Sequence, residues 1–194
     1  MDQTLSWGPQ VGVVKKKCSF SLHSLVRARK FLPVSVRKLL VKTLIFPILD
    51  YCDIVFTNLT IELSHKLQVI QNSCVRFIFD IKLKDRIHIQ PKLLELNWLS
   101  IENRRKLHLL SSLFSVLKFQ IPNYLFEKFI SLDEVSNRPR RLHNLLLKPR
   151  HTSEQYSRSY HVTCCRLWNN LPDVLRVTEE LKSFKKLVEQ NLQG

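Results

Sequence analysis

The sequence predicts a mainly α protein, a helical bundle followed by a smaller helical C-terminal region that carries a basic loop or short β-hairpin. Three observations predict this class. Apolar residues recur every three or four positions in long segments, which is the period of an amphipathic helix. Prolines and capping residues stand where such segments would begin or stop. One polar stretch with two prolines, 131–159, interrupts the pattern and predicts the loop or hairpin.

The first segment, 1–58, predicts two basic helices. An apolar stripe over residues 10–29 indicates the first of them. Pro33 stands where a first helical turn tolerates proline, and the apolar pattern resumes after it. Pro47 falls inside this second helix and is expected to kink or end it near Phe46.

The middle segment, 59–130, predicts further helices. Thr60 has the side chain of an N-cap, and the cleanest amphipathic pattern of the chain follows it. Pro91 opens a short helix that ends near Trp98. Ser100 is expected to be the N-cap of a long helix that follows it.

The last segment, 131–194, combines the basic stretch with two helices, and that stretch is the clearest domain boundary. One helix is predicted over residues 160–170 and stops before Pro172. The last helix is predicted to begin at a Thr178 cap. Glu179 and Glu180 would then lie in its first turn, where carboxylates interact favourably with the helix dipole.

Charge is the dominant feature of the composition. The 194 residues carry 31 Lys and Arg against 16 Asp and Glu, a formal charge of +15 with a pI near 9.9. An excess of this size raises the local concentration of polyanions. Nucleic acid is therefore the expected partner, and an anionic membrane surface is the second choice.

The basic residues form two clusters. Residues 11–49 contain nine basic residues and no acidic one, whereas ordinary solvated surfaces mix both signs. In the second cluster, 138–158, basic residues lie near tyrosines, a composition that suits a single strand whose bases can stack. A merely solvated face is the alternative for both clusters, and it is the preferred interpretation of the smaller patch 104–106. The expected nucleic-acid contacts are Lys15, Lys16, Lys17, Arg27, Arg29, Lys30, Arg37, Lys38, Arg138, Arg140, Arg141 and Arg150.

These phosphate contacts predict how steeply the affinity for nucleic acid depends on salt concentration. If six to eight phosphates are neutralised, the logarithm of affinity should fall with the logarithm of salt concentration with a slope of about −4 to −7.

The sequence contains no complete catalytic constellation, and we expect no cofactor and no metal. Asp50 and Asp53 are the nearest pair of metal-binding carboxylates, but a polar turn at the end of a buried helix explains them better. Glycine occurs only at positions 8, 12 and 194, which excludes a glycine-rich phosphate loop. The five cysteines are irregularly spaced and are expected to be buried or free thiols in a reducing compartment.

The first twenty residues lack the basic start and apolar run of a signal peptide. No uncharged run reaches the ~18–20 residues that a membrane helix needs. We therefore expect a soluble intracellular protein, nuclear or cytoplasmic, with no membrane partner.

Several short motifs follow one another along most of the chain. They are Leu5-Ser-Trp7, Phe31-Leu-Pro33, the run from Leu44 to Tyr51, Gln71-Asn72, the run from Leu94 to Leu99, Arg104-Arg105, and the run from Leu167 to Pro172 with Phe184-Lys185. Each motif is loose by itself, whereas their order is specific. In this order the chain resembles the region that follows the polymerase active site in reverse transcriptases of non-LTR retrotransposons, of the jockey-like, long-interspersed-element type.

The resemblance implies a thumb-like bundle in 1–58 and a post-thumb region that helps to hold template RNA. A thumb grips a primer–template duplex, so the implied partners are RNA or DNA and a polymerase chain that contains the palm. The family's catalytic aspartates precede the motif that ends at Trp7, and Gln10 stands where a histidine is common in the family. The resemblance therefore implies a truncated C-terminal part of an RNA-directed DNA polymerase that is not an enzyme by itself.

Two functions remain open at the level of sequence. The first is a helical module that binds RNA or DNA through its backbone. The alternative is a non-binding transposon remnant or a protein-interaction scaffold. In the second case the first helices would expose apolar surface, and self-association is expected.

Overall fold

The computed structural model describes residues 6–56, 59–85, 87–135 and 144–193. The chain divides into two compact units, Met1–Glu102 and Asn103–Gly194. Every regular element of the described residues is helical, which confirms the mainly α prediction. The three segments predicted from the sequence are a different division and stay a prediction. No helix among the described residues is long and apolar enough to cross a membrane.

The first unit is built from five helices joined by short turns. They are α1 (Gly8–Ala28), α2 (Val34–Leu40), α3 (Phe46–Asp50), α4 (Ile61–Phe79) and α5 (Gln90–Glu95). Between them lie a π-helical turn, Val41–Ile45, and 3-10 turns at Arg29–Phe31, Asp53–Val55 and Leu83–Asp85.

The second unit continues from α6 (Ile101–Phe119), which begins at the end of the first. Its further helices are α7 (Asn123–Phe126), α8 (Leu132–Val135), α9 (Glu154–Ser157), α10 (Tyr160–Asn169), α11 (Asp173–Arg176) and α12 (Leu181–Gln193).

Pro47 does not end its helix, so the expectation of a helix end near Phe46 is wrong, whereas the alternative of a kink stays a prediction. The π turn changes the hydrogen-bond pattern just before the proline, and the Phe46 amide donates to the carbonyl oxygen of Val41, five residues back. Pro47 then occupies the first turn of α3, where its missing N–H is not needed. The helix instead ends at Asp50, because Cys52 adopts a left-handed conformation with φ 54°.

Local capping signals place one helix start correctly and another wrongly. The Thr60 side chain accepts a 3.3 Å hydrogen bond from the Leu63 amide, as predicted. Thr178, in contrast, does not cap the last helix, because its hydroxyl donates to the carbonyl oxygen of Val174 at 3.2 Å. α12 therefore begins three residues later, at Leu181.

One hydrophobic core holds the first unit together. Val11 and Cys18 of α1 are buried with Cys74 and Ile78 of α4, so residues on both sides of position 58 share this core. Trp98 is an anchor of this core. Its ring is buried with its centroid 4.5 Å from that of Phe46.

A buried amide network joins α4 to the beginning of α6. The Gln71 Nε2 donates to the carbonyl oxygen of Leu99 at 2.8 Å, and its Oε1 accepts from Gln68 Nε2 at 2.9 Å. The Gln68 Oε1 accepts in turn from the Ile101 amide at 3.0 Å. This last bond satisfies one of the amides that the first turn of α6 leaves without an intrahelical partner.

The core of the second unit is aromatic. Phe184 is fully buried and stacks on Phe114 at a centroid distance of 4.5 Å. The ring centroid of Trp168 lies 5.9 Å from that of Phe184. The Trp168 indole N–H donates to the carbonyl oxygen of Asn144 at 2.8 Å. Trp168 is therefore an anchor of this core.

Within the stretch 131–159, Ser131 and Leu146 form an isolated antiparallel bridge. The stretch also contains the two short helices α8 and α9, which the sequence interpretation as loop or hairpin did not include. The hairpin itself stays a prediction, since residues 136–143 lie outside the described part of the chain.

Candidate nucleic-acid interface

α1 presents three consecutive lysines to solvent. Val14 and Cys18 are buried on one side of this helix, whereas Lys15, Lys16 and Lys17 are all exposed. At 3.6 residues per turn, Lys16 lies on the side of α1 opposite the buried residues, and the other two flank it.

The positive charge of these lysines is not neutralised locally. α1 contains no acidic residue, and its three lysines form no ion pair with any described residue. Exposed ammonium groups without a neighbouring carboxylate keep their attraction for anions, screened only by salt. This helix face is therefore a cationic surface that the first unit offers to a ligand.

The same face continues towards the end of α1. Phe20, His23 and Arg27 follow Lys16 at steps of three and four residues and are exposed. Arg27 Nη2 lies 3.4 Å from His23 Nε2. Lys16 and Arg27 are therefore placed about 16 Å apart along one helix side, at 1.5 Å per residue.

Two predicted contacts, Arg29 and Arg37, are engaged in the fold. Arg29 forms an ion pair of 2.6 Å with Asp80, the residue at the end of α4. Arg37 donates from Nε to the carbonyl oxygen of Leu32 at 2.8 Å and from Nη2 to that of Arg29 at 3.0 Å. Its Nη1 donates to the carbonyl oxygen of Ile78 at 3.1 Å.

Arg37 thus satisfies carbonyls at the end of α4 that have no intrahelical donor, and it also fastens the 3-10 turn after α1. A guanidinium with this many main-chain partners has little capacity left for a phosphate.

The remaining predicted contacts of the first cluster are Lys30 and Lys38. Lys30 is exposed and Lys38 is half-buried, and neither forms an ion pair with a described residue.

The second cluster is described only in part. Arg138, Arg140 and Arg141 lie outside the described residues. Arg150 is exposed and lines a shallow groove with Lys148, His151 and Tyr156. Arg158, in contrast, is paired with Glu154 one turn earlier in its helix. The groove is lined by basic side chains and the Tyr156 ring, and its role in nucleic-acid binding stays a prediction.

The cysteines are free, and four of the five are buried. Burial raises the pKa of Cys18 to about 11 and that of Cys74 to about 12, since a buried thiolate lacks solvation. The pKa values of Cys164 and Cys165 are raised by burial to about 12 and 11. These four thiols stay protonated at neutral pH, so none of them has the thiolate that a nucleophile needs.

Asp50 and Asp53 belong to a turn. Asp50 is the last residue of α3, and Asp53 begins the next 3-10 turn beyond the left-handed Cys52. Both aspartates therefore lie at the predicted turn, and the expectation that they hold no metal stays a prediction, since their carboxylate oxygens lie within 4.8 Å of each other.

Sequence reasoning missed two exposed aromatic residues in the first cluster. Phe31 and Phe20 are 86% and 78% exposed, more than any other aromatic residue of the described chain. The position of Phe20 off the apolar stripe of α1 is the sequence signal that could have revealed it, whereas Phe31 lies beyond that helix, in the 3-10 turn Arg29–Phe31.

No protein-family model, curated protein or solved structure matches the chain. The class of protein therefore rests on the features of its own structure. It is a mainly α protein whose first unit exposes an unneutralised cationic helix face.

Proposed function

We propose that this protein is a nucleic-acid-binding module that is not catalytic by itself, and that it corresponds to the thumb and post-polymerase region of a non-LTR retrotransposon reverse transcriptase. The observation that carries the binding proposal is the exposed, carboxylate-free lysine face of α1. Its partner is RNA or DNA, and a primer–template duplex is the form that the family resemblance implies.

The geometry favours phosphate rather than bases as the main contact. Lysine side chains are long, flexible point charges, and they bind phosphate without a fixed orientation. Contacts of this kind position a nucleic acid but carry no information about its sequence. Affinity is therefore expected to depend steeply on salt and only weakly on sequence.

Copying of RNA into DNA is not part of this proposal for the chain. Family polymerases need metal-binding carboxylates in the palm, and no motif of this sequence matches that part of the family. A separate polymerase chain that contains the palm is the proposed protein partner, in the nucleus or the cytoplasm.

The test is a fluorescence anisotropy titration of an RNA–DNA primer–template duplex against three proteins. The first two are the wild type and the triple variant Lys15→Gln, Lys16→Gln, Lys17→Gln. The matched control removes the same charge from exposed lysines of α12, through Lys182→Gln, Lys185→Gln and Lys186→Gln. We expect at least a tenfold loss of affinity for the α1 variant and less than a threefold loss for the control. Equal losses would show that only net charge matters, and no wild-type binding at low salt would end the proposal.

A second candidate function, the protein-interaction scaffold, is favoured by a different observation. Leu39 and Leu44, in and just after α2, are 59% and 47% exposed. Association surfaces expose contiguous apolar patches, and these two leucines would be the start of one. Sedimentation velocity over a hundredfold range of concentration tests it, because a chain that stays monomeric throughout excludes self-association.

A further inference from the structure

We infer that Phe20 is a stacking platform for an unpaired nucleobase, so that the α1 face prefers single-stranded segments or junctions to a continuous duplex. This inference rests on the proposed function and specifies the form of nucleic acid that the same face takes.

The first argument is the exposure of the ring. Phe20 lies on the solvent side of α1, 78% exposed, and its ring contacts no aromatic or cationic partner among the described residues. A phenylalanine with this exposure adds little packing to the fold, and most of its ring surface is open to a flat ligand.

The second argument is the charge around the ring. Lys16 precedes Phe20 by four residues and Lys17 by three, which places both cations one helical turn away on the same side. His23 and Arg27 follow towards the other end of the helix. A base stacked on Phe20 would have its flanking phosphates within reach of cations on both sides.

The third argument is the distribution of exposed aromatic residues. Phe20 and Phe31 are the two most exposed aromatic residues of the described chain, and both fall within 11–49, the stretch without an acidic residue. Aromatic rings among basic side chains form the usual surface for single-stranded nucleic acid, since every base has a face that can stack. A protein partner that buried Phe20 would have to meet the same unneutralised cations.

The test compares a labelled 12-nucleotide oligouridylate with a blunt-ended duplex of two separate strands and similar phosphate number. We expect Phe20→Ala to weaken oligouridylate binding by about 5- to 100-fold, the range for loss of one stacked base. Duplex binding should change less than twofold, and Phe20→Trp should bind oligouridylate as well as the wild type. Tyr124→Ala is the matched control, because Tyr124 is 70% exposed but lies beside Glu127 in the second unit.

Each outcome decides the inference. An equal loss on both probes, or a loss on neither, overturns the stacking role of Phe20, and so does an equal effect of Tyr124→Ala. If Phe20→Ala instead reduces only self-association, the ring is a protein contact. If neutralisation of Lys15, Lys16 and Lys17 abolishes binding to both probes, the proposed function is supported even when Phe20→Ala has no effect. Photo-crosslinking of 5-iodouracil provides a direct readout, with the adduct expected in the peptide that contains Phe20.

Discussion

The guanidinium of Arg37 donates a 3.1 Å hydrogen bond to the main-chain carbonyl oxygen of Ile78, 41 positions further along the chain. This contact links α2 to the end of α4, and it changes the meaning of a residue that composition alone would count as a phosphate ligand. Arg27, which lies on the exposed face of α1, has no comparable main-chain contact among the described residues. Arginines of the same basic cluster thus have different physical roles.

Arg37→Ala is expected to destabilise the first unit by about 2–4 kcal/mol, because several carbonyl oxygens lose a charged donor at once. Arg27→Ala is the matched control, and its effect on stability should stay within about 0.5 kcal/mol. Urea unfolding followed by circular dichroism measures both. The reverse order is expected in nucleic-acid titrations of the folded proteins, where Arg27→Ala should be the more damaging change. A neutral effect of Arg37→Ala on stability would contradict the structural role.

The structure narrows the range of slopes that composition predicts for the dependence of affinity on salt. Among the described residues, six of the predicted contacts of the first cluster neither pair with a carboxylate nor bond to main-chain carbonyls, namely Lys15, Lys16, Lys17, Arg27, Lys30 and Lys38. Six phosphate contacts give a slope of log affinity against log salt of about −4 to −5. Titrations at four salt concentrations measure the slope, and removal of the three α1 lysines should make it shallower by about 2 to 3. An unchanged slope would place the contacts elsewhere.

Gln71→Ala is expected to destabilise the first unit by about 1–3 kcal/mol. The substitution removes the donor of the buried Leu99 carbonyl oxygen and leaves that oxygen without the amide that now satisfies it. Gln190→Ala, at an exposed position of α12, is the control and should stay within about 0.5 kcal/mol. Differential scanning calorimetry distinguishes the two, and equal melting temperatures would show that the network contributes nothing.

The stability of the second unit should fall in mildly acidic solution because of His161. Burial lowers the pKa of this imidazole below its usual value of 6.5, so the unfolded chain binds a proton that the folded chain resists. The contribution is present in full above pH 6.5 and is lost as the pH falls through 6.5 towards the folded pKa. The urea midpoint should therefore drop between pH 7.5 and 5.5, and His161→Gln should reduce that drop. The same pH response in both proteins would assign it to other groups.

Local sequence was enough to predict much of the fold. The apolar period placed α1, α4 and α10, and the Thr60 cap was predicted correctly, because a side chain that bonds its own helix needs no distant partner. The errors occurred where a local signal had a competitor. Thr178 donates to the preceding turn instead of capping α12, and the π turn removes the conflict that Pro47 would cause.

For the candidate site, too, the sequence predicts some features and the tertiary structure decides others. The exposure of Lys16 follows from its position opposite the apolar stripe of α1, which the sequence contains. The engagement of Arg29 does not follow, since its partner is Asp80 at the end of another helix. Phe20 could have been noticed from the same stripe, but its 78% exposure depends on which helices cover α1.

By itself, the sequence determined that this protein is helical and strongly cationic near its amino terminus, because period and charge are local properties of the chain. Only the tertiary structure decided which cations remain available to a ligand. A helix end leaves carbonyl oxygens without donors, and the arginine that packing brings to them is withdrawn from the surface. Arg37 meets such carbonyls at the end of α4, whereas Lys16 meets none and stays in solvent.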